Sequence, residues 1–151
     1  MSRQLDLSDG LKQWLDSVEK STAKMNSADR YQIEDAGAEV FMQHLREVTN
    51  AKHRSTHNDG KYGHAADNIS MAHDKAGSGY FADSDHVRVG WKKRYHAMNM
   101  MRVNDGTKSI VGDHFVTNLR EDRAVQSEML NAEKREFNKI INKNQSDKGD
   151  D

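Results

Sequence analysis

The chain of 151 residues contains no cysteine and no proline, and nowhere does it approach the ~18 consecutive apolar residues that a membrane-spanning helix needs. Without cysteine there is no disulfide framework, no thiolate zinc site and no cysteine nucleophile, and assembly in a cytosol is the simplest fit. Met1 to Leu11 holds one basic residue and no apolar run, so neither a secretory signal nor a membrane anchor is expected. For the absence of proline we have no physical account. An excess of one charge is also missing: the formal net charge is -1 with a pI near 6.7, which gives no general attraction to nucleic acid or to an anionic membrane. Apolar residues are 34% and charged residues 31%, with a mean hydropathy of -1.01, so a single copy buries only a thin core for its length and partners are expected to cover more.

What the chain does have is apolar periodicity. Ser8 is a candidate N-cap for a short amphipathic helix carrying Leu11, Trp14, Leu15 and Val18 on one face. After a polar link, Ile33, Ala36, Val40, Phe41, His44, Leu45 and Val48 keep helical spacing for about four turns, with Gly37 inside at a modest cost that allows close packing. Residues 50–63 lose any apolar face and read as a loop. Ile69 and Met71 then alternate with polar neighbours, a turn follows at Gly77 to Gly79, and Val87, Val89 and Trp91 share one face of a second strand. Tyr95 to Val103 reads as a third strand, although its methionines also suit a helix, and Ile110 with Val111 adds a short edge segment after the turn at Asn104, Asp105 and Gly106.

Phe115, Leu119, Val125, Met129, Ala132, Phe137, Ile140 and Ile141 approximate a last helical stripe, expected to pack on the sheet. Its charges read as a solvated face with local pairs such as Glu136 with Lys139. The expected fold class is therefore α+β: two N-terminal helices, an antiparallel sheet of three to four strands and a long C-terminal helix. One domain over residues 1–144 is expected, with helices at about 8–49, a sheet at about 64–112, a helix at about 114–143, and a disordered tail over 145–151.

Candidate chemistry is sparse. His53 and His57 are four apart, which on a helix would set two imidazoles on one face at metal-ligand spacing, with His64 and Asp67 as further donors. The loop context and the lack of an H-E-x-x-H string favour solvated loop histidines, with His64 fixing a local turn. No serine sits in a G-x-S-x-G elbow, and Gly77 and Gly79 lead into Tyr80 and Phe81 rather than into a phosphate-binding Lys and Ser or Thr. Neither an enzyme, a metal nor a cofactor is expected.

Charge distribution says more. Between His86 and Lys108 the basic residues Arg88, Lys92, Lys93, Arg94, Arg102 and Lys108 face a single acid, Asp105, whereas Met1 to Asn50 holds nine acidic against six basic residues. With Trp91 and Tyr95 interleaved, the basic region suits a DNA surface, because cations neutralise phosphate and aromatics offer stacking faces. The plainer reading makes Trp91 a core residue and Lys92 to Arg94 a solvated turn. In a third reading the acidic helical part of one copy meets the basic part of the next, a head-to-tail contact that closes into a ring. Met98, Met100 and Met101 are packing or interface residues.

A series of short strings extends this reading: His64-Ala65-Ala66-Asp67-Asn68-Ile69, Val87-Arg88-Val89-Gly90-Trp91, Tyr95-His96-Ala97, Asp105-Gly106-Thr107-Lys108, and Phe115 ahead of a long helix. In this order they resemble the tail-completion or head-tail joining family of phage neck proteins, to which the lambda minor tail protein Z is also similar. Family members often carry proline before the first strand and just before that Phe, where this chain has Thr56-His57-Asn58-Asp59 and Gly112-Asp113-His114-Phe115. The resemblance spans roughly residues 64–141. It implies a virion protein of a long-tailed phage, assembled in the host cytoplasm as a hexameric ring between the head connector or head-completion protein and the tail terminator or tail tube. It implies no catalytic residue. His64, Asp67, Ile69, Val89, Gly90, Trp91, Gly106, Thr107 and Phe115 would be its structural positions, with Gly106 suited to a positive φ and Phe115 an anchor for the last helix. The alternatives are a small DNA-binding regulator using residues 88–108 and, behind it, a histidine-dependent metalloenzyme.

Overall fold

The structure, a computed structural model, describes residues 7–56, 60–75 and 86–146, and the side chains of residues 7–10 and 21 are not described. The expected turn at Gly77 to Gly79, His57 and the tail beyond Ser146 lie outside the described residues. Within them the order is α1 (Leu7–Thr22), α2 (Ser27–His53), a 3-10 turn (Ala65–Asn68), β1 (Ile69–Asp74), β2 (His86–Trp91), α3 (Arg94–Asp105), α4 (Phe115–Glu121) and α5 (Arg123–Ser146). None of these helices is long and apolar enough to cross a membrane. The mixed helix-and-sheet class holds, but the sheet has two antiparallel strands rather than three or four, with Ile69 opposite Trp91 and Met71 opposite Val89.

α2 is the axis of the fold. Its start is fixed by a capping box: the Asn26 side chain accepts from the Asp29 N–H at 2.9 Å and Asp29 accepts from the Asn26 N–H at 3.2 Å. Gly37, Ala38, Met42, Leu45 and Thr49 form its buried side. The hydroxyl of fully buried Thr49 is satisfied by donating to the Leu45 carbonyl at 2.6 Å. One side of α2 carries the sheet, whose first strand is pinned at both ends: Arg46 donates to the Ile69 carbonyl at 3.2 Å and Tyr31 to the Asp74 carbonyl at 3.0 Å. Met42, Leu45, Ile69, Met100 and Phe115 make the buried cluster there, with Val89 and Trp91 packed against it.

The other side of α2 carries α5, not the sheet as expected. Gln32 donates to Glu136 at 2.8 Å, and His44 meets Glu128 at 2.8 Å. The sequence numbers run in opposite directions, so the two helices are antiparallel. Gly37 is buried under the Glu133 side chain, and a Cβ there would clash with the Glu133 carboxylate unless that side chain moved, so the glycine does permit a close approach. Lys139 pairs with Glu136 at 2.9 Å, as the spacing suggested.

Three further expectations change. Tyr95 to Val103 belongs to helix α3, because the residues it buries are His96, Met100 and Asn104, spaced by four; the alternation of Tyr95, Ala97, Asn99 and Met101 has no buried face behind it. Ile110 and Val111 pair with no strand among the described residues and sit in an exposed loop. The last helix is two: Asp122 is extended (φ -68°, ψ 113°), and its carboxylate accepts from the Ala124 and Val125 N–H groups at 2.8 and 3.3 Å, which ends α4 and caps α5. Smaller differences are that α1 begins before Ser8, which therefore lies inside its first turn, and that α2 runs to His53, past the expected loop start.

Candidate interaction surface

Of the residues singled out in the sequence, most build the framework. Ile69 and Phe115 are buried, Val89 and Trp91 lie half-buried on the same cluster, and Gly90 faces Ser70 across the hairpin. Phe115 is 1% exposed and packs edge-on to Trp91 at 6.4 Å between ring centroids and tilted on His53 at 4.5 Å. At His64 the main-chain carbonyl accepts from the Asn68 side-chain amide at 2.7 Å, and the imidazole makes no capping hydrogen bond to the 3-10 turn. Asp67 pairs at 3.4 Å with Arg54, a solvated contact.

His53 is not a solvated loop residue. It ends α2, half-buried against Phe115, with Nε2 at 2.9 Å from Asp113 Oδ2 but out of line for a hydrogen bond. Among the described residues no three of His, Asp or Glu converge as a cage for a metal ion.

The basic residues fall into two groups. Arg88 is engaged by Asp74 at 3.3 Å, and Lys93 donates to the Tyr62 carbonyl at 3.0 Å, so both stabilise the chain's own fold. Lys92, Arg94, Arg102 and Lys108 are exposed and make no ion pair among the described residues. Of these, Arg94 and Arg102 lie on α3, where they share the outer surface with exposed Tyr95, Met98 and Met101, the reverse of the helix side that buries His96, Met100 and Asn104; Lys92 precedes the helix and Lys108 follows it. A cationic, methionine-rich helix face is thus presented outward.

Beyond α3 the chain makes a hydrogen-bonded loop, residues 106–114. Gly106 closes α3 at φ 85°, donating to the Arg102 carbonyl at 2.8 Å. The Thr107 hydroxyl accepts from the Ser109 and Ile110 N–H groups at 3.2 and 3.1 Å, and the Thr107 N–H donates to the Ile110 carbonyl at 2.8 Å. At its base, the Asp113 and His114 N–H groups donate to the Val103 and Asn104 carbonyls, each at 3.1 Å. The Asn104 side chain then ties the loop to the next helix: Oδ1 accepts from Val116 and Thr117 N–H at 2.9 and 3.2 Å, while Nδ2 donates to Thr117 Oγ1 at 3.1 Å. The result is a fixed tip carrying Ile110 at 45% and Val111 at 94% exposure beside Lys108. Sequence reasoning treated Asn104 as a turn signal and Ile110 with Val111 as strand; nothing local marked either role.

A groove of 650 Å³ opens between α2, β2, α4 and α5. Phe41, Leu45, Val89, Trp91, Val116 and Met129 give it an apolar floor, and Glu34, Glu133, His86 and Arg120 are its polar lining. The Trp91 indole N–H is buried and has no hydrogen-bond partner among the described residues. Glu34 and Glu133 make no ion pair among the described residues. Burial, and then the neighbouring Glu34 charge, holds the Glu133 carboxyl above its usual range.

A carboxyl raised in the folded state binds its proton more readily there than in the unfolded chain, so ionised Glu133 opposes folding, and this opposition fades as pH falls through its folded pKa. Glu133→Gln should therefore raise the melting temperature at pH 7, with the gain vanishing below the unfolded value of about 4.3. Thermal unfolding at pH 7 and pH 3.5 checks it; a loss at pH 7 would mean that the charge is needed.

The groove's lining residues are separated by up to a hundred positions in the sequence, which is why no motif announced it. Compared with known proteins, the chain matches no family model, no curated protein and no solved structure.

Proposed function

We propose that this chain is a structural subunit of the neck of a long-tailed DNA phage, forming a ring that joins the head connector to the tail. The observation that carries the reading is the ordered series of strings from His64 to Phe115. The fold supports it in kind, since those positions make one framework: Ile69, Val89, Trp91 and Phe115 share a cluster, and Gly106 and Thr107 shape the loop beside it. Exposed Leu11, Trp14, Leu15, Met98, Met101, Ile110, Val111 and Leu130 add apolar surface that assembly would cover. The subunit's work in this reading is binding, to further copies, to a connector or head-completion protein and to a tail terminator or tail tube, without catalysis.

Deleting the gene from a phage that encodes it should leave filled heads and free tails in the lysate, restored to joined particles by the protein in trans. Intact infectious particles from the deletion would sink the proposal.

A second reading has its own observation: Lys92, Arg94, Arg102 and Lys108 are exposed and make no ion pair among the described residues, a disposition that suits the phosphates of DNA, whether in a channel or at an operator. It predicts a salt-dependent mobility shift that the double substitution Lys92→Ala, Arg94→Ala abolishes. Retention of the shift in that variant, or no shift at low salt, removes it.

A further inference from the structure

The groove and the 106–114 loop each have what the other lacks. The groove combines an apolar floor with two carboxylates, Glu34 and Glu133, that no cation of the described chain neutralises. The loop presents an aliphatic pair and a lysine without an ion pair among the described residues, on a tip braced by backbone bonds at both ends. Such a tip loses little freedom on docking, and exposing two aliphatic side chains on it is unfavourable unless something covers them. At 650 Å³ the groove lies within the ~300–1,000 Å³ range of pockets that bury a small ligand, and it has room for two or three side chains.

We propose that the groove receives the loop tip of a second copy of this chain, with Ile110 and Val111 entering over Phe41, Val89 and Met129 and Lys108 meeting Glu34 and Glu133. Within one molecule none of residues 106–114 lines the groove. The loop is anchored at the C-terminal end of α2, where Asp113 meets His53, whereas Leu45 is the last α2 residue of the groove. At 1.5 Å per residue that is ~12 Å along the helix, and ~28 Å to Glu34.

Because the tip and the groove are different surfaces, the contact is head-to-tail: each copy offers a tip to one neighbour and a groove to the other. Arg120, which also lines the groove, lies on α4, whereas the two carboxylates come from α2 and α5; Lys108 is directed to the latter. The contact deepens the ring reading and rests on its premise that copies associate, but it assigns the association to named residues.

The absence of cysteine makes the test direct. Val111→Cys and Met129→Cys are prepared as separate full-length proteins, with Ser146→Cys, exposed at the end of α5, as a control. Under mild oxidation, Val111→Cys mixed with Met129→Cys should form a disulfide-linked dimer on the order of tenfold faster than Val111→Cys mixed with Ser146→Cys. Neither protein alone should do so. A chain carrying both cysteines should give a ladder of covalent oligomers, and Lys108→Glu should slow every step.

Equal rates for the two mixtures overturn the proposal, as does a double-cysteine chain that stops at dimer, since that would mean a two-fold contact. Preferential linking of Met129→Cys to Trp14→Cys also overturns it and gives the groove to the α1 face. Should sedimentation show association while the Val111 to Met129 link fails to form, the loop-in-groove contact falls and the ring reading stands. Intact particles from the gene deletion, by contrast, would remove the neck role and leave this contact to be judged on the cross-linking alone.

Discussion

Phe115→Ala should destabilise the chain by about 3–5 kcal/mol, the range for deleting a fully buried ring. The side chain is 1% exposed and sits where three elements meet: α4, to which it belongs, β2 through Trp91, and the end of α2 through His53. With few buried apolar residues to share the loss, the cavity cannot be closed by collapse of one neighbour without moving another. For a chain of this size the change corresponds to a fall in melting temperature of roughly 6–20 °C. Such a loss is a large part of an ordinary domain's ~5–15 kcal/mol, so the variant should also be less abundant when expressed. Phe115→Leu, which keeps most of the volume, should cost distinctly less. Thermal unfolding followed by circular dichroism separates the three proteins; a loss below about 1 kcal/mol for alanine would show that the cluster around Phe115 is not the core.

Asn104→Leu should cost about 2–4 kcal/mol for a different reason, because it keeps the volume and removes every polar contact. Buried Asn104 is the only side chain in the described structure that accepts from Val116 and Thr117, the second and third N–H groups of α4, and it also donates to the Thr117 hydroxyl. Leucine leaves those N–H groups buried and unmet. Asn104→Asp discriminates between loss of acceptor and loss of donor: it keeps the oxygen that α4 needs but loses the amide donated to Asp105 at 2.7 Å and sets two carboxylates side by side. Its cost should fall between zero and that of leucine. Denaturant unfolding gives the energies, and hydrogen exchange at Val116 and Thr117 should accelerate in the leucine variant before exchange in α2 does. Equal protection in variant and parent would mean that water replaces the side chain.

The sequence made some of this legible. α2 could be read because its apolar positions repeat over many turns and no competing period fits them. Gly106 announced a positive φ because Asn104, Asp105 and Gly106 together are strong turn chemistry. α3 was misread because a run with an apolar residue at nearly every second place and methionines between satisfies the strand and helix periods alike; burial at His96, Met100 and Asn104 decides, and two of those three are polar. The break at Asp122 carried a usable signal, an aspartate before a new apolar run, but the stripe on either side is long enough to hide it. For the candidate surface, composition revealed a basic region and no more. That Arg88 and Lys93 are engaged internally while Lys92 and Arg94 make no ion pair among the described residues depends on Asp74 and Tyr62, which no local pattern connects to them.

The antiparallel pairing of α2 with α5 has a consequence for synthesis. α2 is complete at His53, but its partner begins only at Arg123, about seventy residues later. At ~5–20 residues per second on the ribosome, α2 waits some ~4–14 s with the side that α5 will cover still bare. The nascent chain therefore spends that interval with this side of α2 open to chaperones or to neighbouring chains on the same message, and closes it only as α5 leaves the exit tunnel.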